Sequence, residues 1–366
     1  MKRRIMSILL VLALAISMIS CGGTKQSSTN TKKEELNVNA LLDSISDMKA
    51  KSGEFTMDFD ISDPSLKTQL GLDSLKFAIK ASCIQKDEKN SQVNLSYKVG
   101  EGSDYKALTS FLTKDNKTIY IDFATLKKAL IDVFNTYKVS EAIAMISILP
   151  EANYLKIDME QLTSYTKSIS GVQGNMTALE MEDPEKAQKV ITTAAQYILT
   201  TMQEATKDVK PVFLSGSDKE LKVEISNKNL IPVCEALSKL DIDAKYDELV
   251  NKVKAVDSNE EYTKEFTTNK SQIVSEIKET LEKAKSNKEN KDEFKVECET
   301  KVSGEKGNRT FACKFTAAGV EKTTKVNMTL EMTVCEKEAS DAMISVPTDA
   351  VDIMEYIGNV SKMLKQ

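Results

Sequence analysis

The chain has 366 residues, 50 basic against 55 acidic, a net charge of −5, and 41% apolar content. It is long enough for one large domain or two medium ones. It has no histidine and no tryptophan, which excludes Ser-His-Asp triads, Cys-His dyads and histidine-ligated zinc. The acidic balance disfavours nucleic acid and anionic membrane surfaces as partners.

The first stretch to read is MKRRIMSILLVLALAISMISCGG. Lys2, Arg3 and Arg4 precede an apolar run from Ile5 to Ile19 that is interrupted only by Ser7 and Ser17. The run is too short to be a comfortable membrane span and has the layout of a secretory signal. Met18-Ile-Ser-Cys21 resembles the lipobox of bacterial lipoproteins, with Met18 in place of the usual Leu or Val. The resemblance implies cleavage after residue 20, acylation of the Cys21 thiol and a two-chain anchor, which suffices for stable attachment. The alternative is an ordinary secreted protein, or one kept by an uncleaved anchor. Loss of the leader leaves 47 basic against 55 acidic side chains, a net charge of −8. Residues 24–35, TKQSSTNTKKEE, lack apolar periodicity and read as a disordered tether.

From residue 36 the periodicity is helical, with Val38, Leu41, Leu42, Ile45 and Met48 on one face and Asn37 or Asn39 as cap. The period then changes to two. Phe55, Met57, Phe59 and Ile61 alternate with polar residues until Pro64. Leu75, Phe77, Ile79, Ala81 and Cys83 repeat the alternation, and Val93, Leu95, Tyr97 and Val99 answer them across a polar turn. These predict an antiparallel hairpin with one apolar face. A second pair, 107–113 and 117–123, turns at Lys114-Asp115-Asn116 and runs into a helix over about 125–137.

A local pattern recurs at Asp122, Asp158 and Glu224, each a strand residue followed by an apolar residue and a helix start. The acids read either as a carboxylate cluster or, more simply, as anions placed at helix N-termini. Helices are predicted over about 183–207 and 229–240. The polar stretch 242–290 reads as one helix marked by Leu249, Val250 and Val253 and a longer one marked by Phe266, Ile273, Ile277, Leu281 and Ala284. It either lies across a sheet or forms a partner-binding arm.

The last third reads as a meander. Phe294, Val296, Cys298, Thr300 and Val302 share a face, Gly304-Glu-Lys-Gly307 forms a tight turn, and Phe311, Cys313 and Phe315 return. Pairing Thr300 with Phe311 would set Cys298 opposite Cys313, as a disulfide or as two buried thiols. Cys335 has the opposite parity. Pro347 and Thr348 precede a final helix with Val351, Met354, Ile357 and Leu364 inward. After Cys21 the cysteines number five and show no CxxC spacing, so no metal site is expected.

The expected fold class is α+β, a curved antiparallel β-sheet, half-barrel-like, with amphipathic helices packed on it, built either as one sheet or as two sheet-plus-helix lobes. The expected division is 1–20 signal peptide, 21–35 lipidated cysteine and tether, 36–215 N-terminal part and 216–366 C-terminal part. The opening Leu41–Ile61, the hairpins at 75–123 and the meander at 294–334 together resemble the LolA/LppX-like lipoprotein superfamily. That resemblance implies a half-barrel holding a lipid or acylated partner.

No GxxxxGK[ST], GxGxxG or GxSxG motif is present. Ser303-Gly-Glu-Lys306 and Ser275-Glu-Ile-Lys278 match SxxK, and Asp58-Phe-Asp60 and Asp241-Ile-Asp243 are incomplete calcium loops. The expectation is a non-enzymatic lipoprotein without cofactor, anchored at the outer face of the cell membrane. It would bind a hydrophobic ligand on a sheet face lined by Phe55, Phe77, Tyr97 and Phe311. The alternative is an envelope scaffold with a filled core, partnered by another envelope protein.

Overall fold

A computed structural model describes residues 37–70, 74–87, 89–100, 104–149, 151–161, 184–257, 260–286, 293–321, 323–337 and 345–363. The leader, Cys21 and the tether lie outside these. The fold is α+β, with curved, unclosed, mostly antiparallel β-structure and helices packed on it. The chain forms two compact units, each assembled from separated stretches: 1–50 with 181–336, and 51–180 with 337–366. A division near 215 is therefore not what the structure has. The first helix joins the later half because its apolar face is buried there, and nothing local to residues 37–50 encodes that choice.

In the first unit, helix α1 (Val38–Ser46) is capped by Asn37, whose side chain accepts from the Ala40 amide at 3.1 Å. Its Val38, Leu41, Leu42 and Ile45 are buried. The later stretch supplies α5 (Pro184–Thr206), β7 (Leu214–Gly216), β8 (Glu220–Ser226), α6 (Leu230–Leu237), α7 (Ile242–Val256), α8 (Glu261–Thr268), α9 (Lys270–Ser286), β9 (Phe294–Ser303), β10 (Thr310–Glu321) and β11 (Thr324–Cys335). The strands run in the order β11-β10-β9-β8-β7, all antiparallel. Gly216, at φ +142°, closes the β7–β8 turn, where a Cβ would meet the Glu220 carbonyl oxygen at 2.0 Å.

Burial alternates residue by residue along β9, with Val296, Cys298, Thr300 and Val302 inward. Phe311, Cys313, Phe315 and Ala317 of β10 continue that face. α1, Leu199 of α5 and Val233 of α6 cover it to form the principal core. α7 packs on α5 through Val190, Leu249 and Val253, and α8 and α9 pack on α7 through Tyr246, Val250, Phe266 and Val274. The stretch 242–286 is thus a helical layer of this unit, not a free arm, and its longer predicted helix is broken at Asn269. Asn229, fully buried, holds the passage from β8 to α6. It accepts from the Ser226 amide at 2.8 Å and donates to the carbonyl of Glu224 at 2.9 Å.

The second unit holds β1 (Ser52–Ser62), α2 (Pro64–Leu70), β2 (Leu75–Gln85), β3 (Ser91–Val99), β4 (Lys106–Lys114), β5 (Thr118–Asp122), α3 (Phe123–Thr136), α4 (Ser140–Ser147), β6 (Tyr154–Asp158), β12 (Ala350–Asp352) and α10 (Ile353–Met363). The strand order is β12-β6-β5-β4-β3-β2-β1, antiparallel except for the β12–β6 pair. Val351, read from sequence as helical, is in β12. Three residues are too few to show a period of two, and the helix begins only at Ile353. Leu364 lies outside the described residues.

Candidate functional site

Register decides what each face of the second unit displays, because paired residues in adjacent strands point the same way. Phe55 pairs with Ala81, Met57 with Ile79 and Phe59 with Phe77. Ile79 in turn pairs with Tyr97 and Ala81 with Leu95. Val93 pairs with Phe111, and Phe111 with Ile121. One face of β1–β5 is therefore aromatic and aliphatic almost throughout. The opposite face carries Glu54, Asp58, Lys76, Lys80, Asn94 and Lys98, together with the buried Ala78, Ile84, Gln92 and Leu112. Most of the apolar face is only half-buried, and Phe55 is 36% exposed. The comparable face of the first unit is closed by helices, and the three buried apolar clusters described for the chain all lie in that unit.

What lies on this face is α3. Asp122 caps its start, accepting from the Thr125 amide at 3.0 Å and from Thr125 Oγ1 at 2.8 Å. Its Asp132 accepts a 2.6 Å hydrogen bond from the Tyr97 hydroxyl and one of 2.8 Å from Lys106 Nζ. Just past its end, the Tyr137 hydroxyl donates to the carbonyl of Lys76 at 2.7 Å. Burial pushes the Tyr97 phenol up, and the hydrogen bond to Asp132 adds to that. The Lys106 and Tyr97 hydrogen bonds pull Asp132 down. This is a neutral phenol bonded to a carboxylate, and it fixes the helix to β3.

The four aromatics expected to line a site are thus separated. Phe55 and Phe77 share the half-exposed face. Tyr97 shares it too but is 2% exposed, with its hydroxyl committed to Asp132. Phe311 belongs to the first unit and is fully buried in its core, so it lines nothing. Sequence reasoning missed Met57, Phe59 and Leu95 as lining residues, although the period of two already placed them on the same face. It also missed α4, which with the two residues after it reads SEAIAMISIL.

The recurrent acids do not form a cluster. Asp122 caps α3, and Asp158 accepts from the amides of Glu160 and Gln161 at 2.9 and 3.0 Å. Asp352 does the same for α10, accepting from the Met354 amide. Glu224 instead joins Lys222, Lys295 and Glu297 in a cross-strand charge ladder. Lys306 of the first SxxK match is paired with Asp47 at 2.6 Å, and Lys278 of the second with Asp243. Asp241 caps α7. Each of these groups therefore has a structural partner. Among the described residues no three His, Cys, Asp or Glu side chains converge to hold a metal ion, and no helix is long and apolar enough to cross a membrane.

Cys298 and Cys313 share the inward face, as parity requires, but the register is two residues from the expected one. Thr300 pairs with Cys313, and Cys298 with Phe315. The cysteines are diagonal neighbours, both free and buried. Diagonal positions across a strand pair stand roughly 7–8 Å apart, at or beyond the usual Cα separation of a disulfide. The hydrogen bond to the Cys313 sulfur, with burial, pushes the Cys298 thiol up. Cys335 lies on the other face, opposite Thr310.

The most strongly built charged group in the first unit is Glu336. It accepts from the Gly307 amide at 2.7 Å, from the Arg309 amide at 2.9 Å and from the Arg309 guanidinium at 2.7 and 3.2 Å. Arg309 also donates to the carbonyls of Ser44 and Asp47, capping α1. Burial raises the Glu336 carboxyl, but the Arg309 and backbone donors outweigh it and hold it at about 2. Asp257, with Lys186 at 2.9 Å and Thr263 donating twice, is likewise held at about 2 against the upward push of burial.

No family model matches the chain, and neither a curated protein nor a solved structure matches it.

Proposed function

We propose that the chain is a membrane-anchored, extracytoplasmic bacterial lipoprotein, without enzymatic activity, that binds a hydrophobic ligand on the apolar sheet face of its second unit. One observation carries this. The face that joins Phe55, Met57, Phe59, Phe77, Leu95 and Phe111 in register is only half-buried, with Phe55 36% exposed, while the like face of the first unit is closed by its own helices. Apolar surface left partly in water is costly, at roughly 25 cal/mol per Å², and exposed apolar side chains that adjoin one another can mark an interaction site. The lipobox-like Cys21 supports a location at the membrane, where acyl chains are the most abundant apolar ligands. The LolA/LppX-like pattern supports the same ligand class, by analogy of fold alone.

Native mass spectrometry of the full-length protein is the test. Co-purified lipid is expected on the wild type and lost on Phe55→Glu/Leu95→Glu, with the first unit unaffected. Wild-type protein that carries no lipid and binds no added fluorescent fatty acid would refute the reading. The second reading, an envelope scaffold, is favoured by the filled core of the first unit and by its polar outer helices α7–α9. It predicts capture of a protein partner by those helices with no lipid bound.

A further inference from the structure

We propose that Cys298, Cys313 and Met332 form a binding site for a monovalent copper ion, the cation whose chemistry matches two thiols and a thioether. The site belongs to the first unit and does not depend on the sheet-face reading of the second.

Register builds the set. Cys313 stands in β10, between β9 and β11. Met332 of β11 is directly opposite it, and Cys298 of β9 is its diagonal neighbour. All three side chains turn to the inward face, since paired residues point the same way and positions two apart on a strand share a side. Both thiols are buried, and they are close enough to hydrogen-bond one another. Met332 packs against the same core and is the least buried of the three, so it offers an incoming ion its first soft ligand. Its flexible thioether easily spans the roughly 5 Å between opposed Cβ atoms.

Thr300 supplies an independent observation. It pairs directly with Cys313 and lies two positions from Cys298 on the same inward face. It is 1% exposed, and its Oγ1 has no hydrogen-bond partner. Its other neighbour across the ladder is Leu221, and Val223 and Phe315 flank Cys298. The setting is apolar except for this one hydroxyl, which has nothing to donate to. An ion bound here displaces one proton from each thiol and leaves two thiolates around a single positive charge. The site then holds one net negative charge in an apolar core, and a buried charge needs a donor. The Thr300 hydroxyl stands where that donor is required.

The donor set also selects the ion. Zinc takes four ligands, and among the described residues no three His, Cys, Asp or Glu side chains converge. Calcium and magnesium take oxygen. Thiolate with thioether is the soft combination that prefers monovalent copper. The diagonal spacing that is long for a disulfide suits two sulfurs bridged by an ion, because two metal–sulfur bonds of about 2.3 Å replace one sulfur–sulfur bond of about 2.0 Å.

The test is anaerobic titration of the full-length protein with monovalent copper, buffered by a chromophoric copper chelator. Cys21→Ser, Cys83→Ser and Cys335→Ser remove the thiols outside the core. One ion bound per chain, about two protons released and a sulfur-only ligand shell by X-ray absorption are expected. Cys298→Ala/Cys313→Ala is expected to weaken binding by at least about 100-fold, and Met332→Leu by about tenfold. Thr300→Val is expected to weaken binding by about tenfold while stabilising the copper-free unit, a split that a merely structural hydroxyl would not give. Met332→Leu conserves volume, so the test stands even where the double alanine variant fails to fold. A protein that yields all its copper to the chelator would overturn the proposal. Binding unchanged by Cys298→Ala/Cys313→Ala would overturn it too and assign the ion to Cys234, and an affinity unmoved by Met332→Leu would overturn the three-sulfur set.

Discussion

Replacing Arg309 with methionine is expected to loosen α1 and its seat while leaving the second unit intact. Met keeps the apolar stem but removes every donor. Glu336, 7% exposed, then loses the guanidinium bonds at 2.7 and 3.2 Å, and the carbonyls of Ser44 and Asp47 lose theirs. Breaking one partner of a buried ion pair costs about 3–5 kcal/mol. The three backbone amides that still bond Glu336, those of Lys49, Gly307 and Arg309, favour the lower end. Neutralising the stranded charge by adding Glu336→Gln to Arg309→Met is expected to recover about 1–2 kcal/mol. A two-unit chain has no single well-defined unfolding midpoint, so native-state hydrogen exchange resolved by peptide is the assay. Residues 37–50 are expected to lose about 3 kcal/mol of protection and residues 75–99 almost none. A change at 37–50 of less than about 1 kcal/mol would refute the claim that this ion pair holds the helix.

Acid is expected to strike the first unit early. Glu336 and Asp257 both have folded values of about 2, below their ordinary values. Their stabilisation is therefore complete above about pH 4.5 and is lost as the pH falls from there toward 2. For Glu336, after allowance for solvent screening, the loss is on the order of 2 kcal/mol. It is read as a pH-dependent fall in exchange protection of 37–50 that Glu336→Gln flattens. Thr300→Val is expected to stabilise the unit by about 1 kcal/mol, because Thr300 Oγ1 is buried without a hydrogen-bond partner between Leu221 and Cys313. A loss of stability in urea denaturation would show that the hydroxyl is in fact satisfied.

Sequence periodicity recovered the elements best where one face is buried by the chain itself. In β9 the alternation Val296, Cys298, Thr300, Val302 is also the burial pattern, because a one-residue slip would turn the whole set outward. The register was less legible. The expected tight turn at 304–307 would pair Thr300 with Phe311, whereas the structure pairs Ser303 with Thr310 and leaves six residues between them. That wider turn is held by Glu336, which bonds the Gly307 and Arg309 amides from 29 and 27 positions away. No local rule for turns contains such a partner. The division into units was missed for the same reason: α1 packs against α5, β8 and β9, all of which come well over a hundred residues later.

The second unit exposes a deeper limit of the pattern. Phe55-Met57-Phe59-Ile61 alternates as regularly as β9 does, and on sequence alone both read as half-buried strands. Alternation reports only that one face avoids water. It does not report whether the cover is supplied by the chain's own helices. For β9 and β10 the cover is α1, α5 and α6, and the face is closed. For β1–β5, α3 reaches the sheet at Tyr97, Thr109 and Lys76, and most of the apolar face stays only half-buried. Phe55, 36% exposed on that face, is the side chain on which the proposed apolar ligand most directly rests.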